Sequence, residues 1–353
     1  MKKPERIFVI GHKNPDTDSI CSAIAYADIK NRTTQNKKYI PKRAGQINEE
    51  TRYVLNRFGV QPPAYLGNIG TQVKDMDIRT SPQADKNMSL KNTWDLMQEN
   101  GIVSLPIRDK DGCLEGLVTI GDIAKTYMDT TDSYLLSNAR TQYQRIAETV
   151  GGEVVEGNGH GYFVKGRVLV GTANPKMLEG YVEEDDMIIM GDREEDHLQA
   201  ISQNVSCIIV GLNIVVSEKV IKLAHEKNIV IIRSPYDTFN IARLINQSIP
   251  VSFVMKRDNM VTFNTEDFTD DIQDVMIKNR HRAFPVINPH GKCIGTISRR
   301  NFLDMHKKKV VLVDHNEVDQ AVDNIEKAEI LEIIDHHKLG TLQTMTPVAF
   351  RNE

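Results

Sequence analysis

Ile7-Phe8-Val9-Ile10-Gly11-His12-Lys13-Asn14-Pro15-Asp16-Thr17-Asp18-Ser19 runs four apolar residues directly into a histidine and two aspartates. Such a short apolar run reads as a buried strand. In a parallel sheet, ligands gather at the carboxyl ends of the strands, so the side chains that follow the run sit where chemistry is expected. The arrangement recurs twice near the other end of the chain. Val310-Val311-Leu312-Val313 precedes Asp314-His315-Asn316-Glu317, and Ile330-Leu331-Glu332-Ile333-Ile334 precedes Asp335-His336-His337. Each half alone is chemically incomplete. Together they gather His12, Asp16, Asp18, Asp314 and His336, carboxylates and imidazoles that suit Mn²⁺, Co²⁺ or Mg²⁺ better than a thiolate-preferring ion.

Working outward, a helix is expected from about Ser19 to Lys30, a strand near Lys38 to Pro41 and a helix from Glu49 to Phe58. Residues 1–68 and 309–353 thus rejoin into one α/β domain with a parallel sheet. Asp16 or Asp18 taken alone is an ordinary cap for the following helix, and His336-His337 alone reads as a surface pair. Position argues against both: each candidate group directly follows an apolar strand. Three carboxylates within about 4 Å would repel by roughly 4 kcal/mol per pair at an effective dielectric near 20, a cost that bound cations offset. Two ions are expected, with Asp314 bridging, His12 and Asp16 on one, and Asp18 and His336 on the other. That pairing activates a hydroxide and clamps a phosphoryl group.

The 353 residues suffice for several domains, and 40% hydrophobic with 26% charged is ordinary for a globular protein. A net charge of -4 gives no electrostatic reason to expect nucleic acid as a partner. Cys21, Cys113, Cys207 and Cys293 have neither metal nor redox spacing and read as thiols in a reducing cytoplasm. The four-residue run is too short for a signal peptide, and nothing approaches a membrane span.

An ungapped internal repeat organises the middle of the chain. Pro285 follows Pro106 by 179 residues, and the same offset relates Met76 to Met255, Asp95 to Asp274, Met97 to Met276, Asn100 to Asn279, Gly112 to Gly291 and Gly116 to Gly295. The first copy reads as a helix Leu90 to Asn100, a strand around Leu105-Pro106-Ile107, a turn at Gly112, a strand Leu114 to Thr119 and a helix opening near Gly121-Asp122. Gln273 to Asn301 echoes it. Between the copies, Ile188-Ile189-Met190, Cys207-Ile208-Ile209-Val210 and Ile229-Val230-Ile231-Ile232, with a helix Glu218 to Lys227, suggest a small parallel α/β unit.

These copies resemble CBS domains, which pair and bind adenine nucleotides in the clefts between repeats. The match rests on Leu105-Pro106-Ile107, on Phe284-Pro285-Val286, and on Thr119-Ile120-Gly121-Asp122, which looks like the family's ribose- and phosphate-contacting end. The second copy carries Ser298-Arg299-Arg300-Asn301, an amide in place of the carboxylate with added cations for phosphates. Ser104, Lys256, Val261, His281, Arg282 and Ala283 fall where such repeats line the cleft. The segment between resembles a DRTGG domain, with Gly191-Asp192-Arg193-Glu194-Glu195 keeping the Asp-Arg start of the signature; no ligand is assigned to it. The resulting division is 1–68 and 309–353 for the interrupted domain, 69–128 and 247–308 for the CBS repeats, and 129–246 for the insert.

His12 to Tyr26, Val313 to Glu317 and Ile334 to His337 resemble the DHH phosphoesterase superfamily, and within it the manganese-dependent, family II inorganic pyrophosphatases of the nucleotide-regulated subgroup. The resemblance implies hydrolysis of pyrophosphate to two phosphates with two Mn²⁺ or Co²⁺ ions. His337 would contact substrate or polarise the leaving side, and Asp335 would orient the imidazoles. It also implies a further ligating aspartate and a second, substrate-gripping domain beyond the Asp335-His336-His337 motif. The chain ends at Glu353 before both, so it is expected to be a fragment with weak metal binding and little turnover of its own.

The resemblance further implies AMP and ADP as regulators, a diadenosine polyphosphate bridging both clefts, and a homodimer built by stacking of repeat pairs. Nucleotides would act on two packings of the repeats, transmitted through the joins near residues 68 and 309. Two other classes of function stay open. One is an adenine-nucleotide sensor without catalysis, which absent metal binding would favour. The other is a DHH phosphoesterase acting on short oligonucleotides or cyclic dinucleotides, which substrate competition would reveal.

Overall fold

The N-terminal apolar run forms β1 (Glu5–Ile10) in a computed structural model that describes residues 4–128, 132–171, 180–279, 281–303, 305–340, 342–344 and 347–352. The expected boundary at residue 129 lies outside them. The chain divides into two compact units, one of residues 1–78, 263–281 and 297–353, the other of residues 79–262 and 282–296.

In the first unit, β1 is followed by α1 (Thr17–Thr33), β2 (Lys37–Arg43), α2 (Glu49–Arg57) and the two-residue β3 (Ala64–Tyr65). The returning chain adds β4 (Lys309–Val313), β5 (Glu329–Asp335) and β6 (Ala349–Asn352). The sheet order is β6-β5-β4-β1-β2-β3, and every pairing is parallel. Phe8 stands beside Val310 and Ile10 beside Leu312, so the ends of β1 and β4 lie level. Pairing between chain segments some 300 residues apart is thus what builds the site.

The local sequence explains these elements. Asp16 caps α1 by accepting from the Ser19 amide, and Asn48 caps α2 by accepting from that of Thr51. Ile20, Ala23 and Ala27 form the buried stripe of α1 at helical spacing, and Ala23 and Ala27 pack in one core with Ile7, Val9, Tyr39, Val311 and Val313. Full burial of each large aliphatic there contributes about 1.5–3 kcal/mol.

In the second unit, helix Leu90–Glu99 and strands Ser104–Arg108 and Leu114–Thr119 form the first repeat, followed by helix Ile120–Met128. Strands Phe284–Ile287 and Cys293–Ile297 are the hydrogen-bonded hairpin of the second repeat. The hairpin turns match across the repeat. Gly112 and Gly291 both adopt positive φ, which costs glycine least, and Asp109 and Asn288 each accept two backbone amides across their turns. The echo fails after the second hairpin: a short 3₁₀ turn, Arg299–Phe302, stands where the first copy has an α-helix. The segment between the repeats forms a five-stranded sheet in the order Glu153–Glu156, Val230–Arg233, Cys207–Val210, Met187–Met190, Val168–Val170, with only the first strand antiparallel. The architecture is therefore α/β: a parallel-sheet domain interrupted by paired repeats with a small α/β insert.

Candidate metal centre

Three loops at the carboxyl ends of β1, β4 and β5 carry the candidate ligands. The β1 loop is fixed by the His12 amide donating to Ser19 Oγ at 3.0 Å and the Lys13 amide donating to the Gln320 carbonyl at 2.8 Å. Asp314, the first residue after β4, is 7% exposed and holds a left-handed backbone with φ 59°, a conformation that aspartate tolerates better than most residues.

Asp314 lies between two histidines. Its Oδ2 is 3.3 Å from His12 Nε2 and its Oδ1 is 3.4 Å from His336 Nε2, while Asp16 Oδ1 is 3.8 Å from His12 Nε2. Ligand atoms of His12, Asp16 and Asp314 lie within 4.8 Å of one another, as do those of Asp314, Asp335, His336 and His337. Asp314 thus belongs to both groups. Its buried Oδ2 has no hydrogen-bond partner among the described residues. An orphaned carboxylate oxygen is costly to bury, and a cation shared with the two imidazoles would relieve it. The donor set of two imidazoles and hard carboxylate oxygens fits Mn²⁺ or Co²⁺.

Asp18 stands apart from both groups. It is exposed, and its Oδ1 accepts from Ser22 Oγ at 2.9 Å. Asp335 sits behind the histidines: its Oδ1 accepts from the amides of His336 and His337 at 2.9 and 3.2 Å and from His337 Nδ1 at 2.7 Å, and its Oδ2 accepts from Asn316 Nδ2. Burial pushes the Asp335 carboxyl up, but the bonds from His337 and Asn316 outweigh it and hold it below the usual carboxylate value. The Asp335 carboxylate raises His337 in turn, and Asp314 does the same for His12. His315 is fully buried; burial pushes its imidazole down, and Nδ1 donates to the Val313 carbonyl at 2.9 Å. Sequence reasoning gave no role to His315 or Asn316. The only signal was their place inside the apolar-to-ligand transition after β4.

A cavity of about 1110 Å³ lies at the opposite edge of this sheet, bordered by Glu5, Lys309 and Glu329 at the starts of β1, β4 and β5. Lys309 pairs there with Glu5 at 2.8 Å and Glu329 at 3.6 Å, and no ligand cluster faces it among the described residues.

The nucleotide candidates divide between the units. Ser104, Thr119, Ile120, Gly121, Asp122, Lys256, Val261, Arg282 and Ala283 fall in the second, and His281, Ser298 and Asn301 in the first. Ser104 pairs with Thr119 across the first hairpin. Asp122 Oδ2 accepts from the Thr119 amide at 2.9 Å and from its hydroxyl at 2.6 Å, leaving Oδ1 facing Lys256 Nζ at 3.5 Å. The second copy repeats the bracket: Asn301 Oδ1 accepts from the Ser298 amide at 2.7 Å and its hydroxyl at 2.9 Å. Asn301 Nδ2, however, donates to the Asp77 carbonyl at 2.6 Å, so the amide is spent on the backbone.

Comparison with known proteins finds two domain families in the chain. Residues 73–129 and 251–308 match the CBS domain, and residues 145–248 match the DRTGG domain. The chain is 39% identical, over 98% of its length, to a cobalt-dependent inorganic pyrophosphatase of Clostridium perfringens, and 36% identical, over its whole length, to a probable manganese-dependent inorganic pyrophosphatase of Thermotoga maritima. It spans 63% and 64% of those two proteins. Among solved structures, the CBS and DRTGG domains of the regulatory region of Clostridium perfringens pyrophosphatase, complexed with the activator diadenosine tetraphosphate, match with a TM-score of 0.62 and 32% identity, covering 65% of this chain and 100% of that one. The chain carries two CBS domains with a DRTGG domain between them, the arrangement of the regulatory region of the C. perfringens pyrophosphatase, and along its length it is similar to metal-dependent inorganic pyrophosphatases.

Proposed function

We propose that this chain forms the metal-binding half and the regulatory region of a metal-dependent pyrophosphatase that hydrolyses inorganic pyrophosphate to two phosphates under adenine-nucleotide control. The observation that carries the reading is the buried Asp314 carboxylate, set between His12 and His336 with one oxygen that meets an imidazole without a hydrogen bond. His12, Asp16, Asp314 and His336 would hold the ions, Mn²⁺ or Co²⁺ in keeping with the relatives' names, and Asp18, whose Oδ1 accepts from Ser22, would join them through its Oδ2. Two divalent ions, when bound, supply a polarised water and neutralise phosphoryl oxygens. His337 is held through Nδ1 by Asp335, which favours its charged form. Its Nε2 is then a proton donor for the leaving phosphate oxygen.

AMP, ADP or a diadenosine polyphosphate would bind at the repeats, with Asp122 Oδ1, which faces Lys256, turned to ribose hydroxyls and Lys256 to phosphates. The C. perfringens region in complex with diadenosine tetraphosphate supports this. We further propose a homodimer, supported by an apolar groove of about 350 Å³ on the second unit, where Trp94 and Tyr127 are 38% and 43% exposed beside Leu90 and Ile123. Among the described residues no helix is long and apolar enough to cross a membrane. The four free cysteines support placement in the reducing cytoplasm.

The test is phosphate release from pyrophosphate with Mn²⁺ or Co²⁺ and titrated AMP, by this chain and by a form that also carries the part of the relatives' length it does not span. Metal-dependent release by the longer form, altered by AMP, is expected. AMP binding without hydrolysis in either form would leave a nucleotide sensor.

A further inference from the structure

Asn316 is 4% exposed and stands two residues beyond Asp314. Its amide makes three hydrogen bonds. Nδ2 donates to Asp335 Oδ2 and, at 2.9 Å, to the Lys338 carbonyl; Oδ1 accepts from the Gly340 amide. Asp335 is the last residue of β5, and Lys338 and Gly340 lie in the loop after it that presents His336 and His337. A single side chain thus fastens that loop to the one presenting Asp314. Gly340 is shaped to receive it, because a Cβ there would overlap the Asn316 amide oxygen and the Glu317 side chain.

The chemistry of the position is narrow. It needs a donor toward a carboxylate and a carbonyl and an acceptor toward an N–H, which an amide alone supplies among side chains of this length. A carboxylate would face Asp335 with like charge. An apolar residue would leave Asp335 Oδ2 and the Gly340 amide unsatisfied in a buried place, which is costlier than losing an exposed hydrogen bond. Asp335 spends its other oxygen on His337 Nδ1 and the two histidine amides, so the orientation that Asn316 gives to Asp335 is passed to the His337 ring and to the backbone that carries His336.

We propose that Asn316 is a positioning residue for the divalent-ion centre: by locking Asp335 and the 338–340 backbone, it sets the direction in which His336 meets Asp314 and His337 faces the substrate side. This rests on reading the Asp314 cluster as a metal centre. Orienting partners of metal ligands typically carry 10–100-fold in affinity, and Asn316 acts one step further back, through Asp335.

The test uses the full chain and needs no turnover. Mn²⁺ binding is titrated calorimetrically and the visible absorption of the Co²⁺-loaded chain is recorded, since it reports ligand geometry, for the parent, Asn316→Ala and Gly340→Ala. Thermal melting without metal verifies folding. Asn316→Ala is expected to weaken Mn²⁺ binding about 10-fold or more and to change the Co²⁺ band, with Gly340→Ala moving both readouts the same way. A folded Asn316→Ala chain with parental affinity and an unchanged band overturns the proposal. If Asn316→Ala does not fold, Gly340→Ala decides: unchanged binding and band overturn the proposal, and a loss with a shifted band supports it. A parent chain that binds neither ion overturns the metal reading itself and this inference with it, which separates the two failures.

Discussion

Asp16 Oδ1 accepts the Ser19 amide at 2.9 Å and is the same oxygen that lies 3.8 Å from His12 Nε2. The residue therefore caps α1 while facing the metal cluster, and its two roles are separable by substitution. Asparagine and aspartate cap helices about equally, whereas alanine costs about 1 kcal/mol. Asp16→Asn is expected to keep the melting temperature of the metal-free chain and lower Mn²⁺ affinity by about 10-fold, while Asp16→Ala lowers both. Parental Mn²⁺ affinity in Asp16→Asn would reduce Asp16 to a cap.

Asp122 offers a comparable separation in the second unit. Its Oδ2 is engaged by Thr119 and its Oδ1 is left toward Lys256. A hydrogen bond to a charged group contributes about 1.5–3 kcal/mol, so Asp122→Ala is expected to weaken AMP binding by roughly 10–100-fold with Mn²⁺ affinity unchanged. Equilibrium dialysis of both ligands measures this. Loss of both affinities together would mean that the nucleotide and metal regions do not fold independently.

β1, β4 and β5 were legible because each is an apolar run that ends abruptly in ligand-type side chains, and their carboxyl ends do meet. β3 and β6 were not. They are edge strands of two and four residues whose pairing is dictated by the neighbouring strand, as where Glu332 stands beside Ala349. Asp18 was expected on the second ion with His336, because it follows β1 in the same ligand-rich run as His12 and Asp16. But Asp16 is the cap and Asp18 the second residue of α1, and about 100° of rotation per helical residue turns their side chains apart. Asn316 has no role legible in sequence, since its partners lie 19 to 24 residues further on, at the end of β5 and in the loop after it.

Lys30, Tyr26 and Glu332 give a pH-dependent contribution away from the cluster. Lys30 Nζ is 2.7 Å from Glu332 Oε1, and the Tyr26 hydroxyl donates to Oε2. Burial pushes the Glu332 carboxyl up, but those two bonds outweigh it and hold it below the ordinary value of 4.5. A carboxylate lowered in the folded state adds stability above its unfolded value, and that stability is lost as the pH falls from there through the folded value. The parent should exceed Glu332→Gln by about 1–3 kcal/mol at pH 7, with the gap closing below pH 4.5. Parallel curves from neutral to acid pH would show that the carboxylate contributes nothing.

Gly45 and Gly59 test how tightly the β1 loop is held. A Cβ at Gly45 would fall on the Lys13 carbonyl and reach 2.6 Å from Pro15 Cδ, whereas one at Gly59, with φ 64°, meets nothing within 4 Å. Backbone cannot swing aside as a flexible side chain does, so Gly45→Ala must displace residues 13–15 and with them Asp16. It is expected to cost about 1–3 kcal/mol as overpacking and to weaken Mn²⁺ binding about 10-fold. Gly59→Ala carries only the strain of a left-handed alanine, about 1 kcal/mol, and should leave Mn²⁺ affinity alone. Calorimetric Mn²⁺ titration with melting curves for both variants tests the pair: equal affinities would mean that the loop relaxes without moving Asp16, and that the ligand geometry is set from β4 and β5 instead.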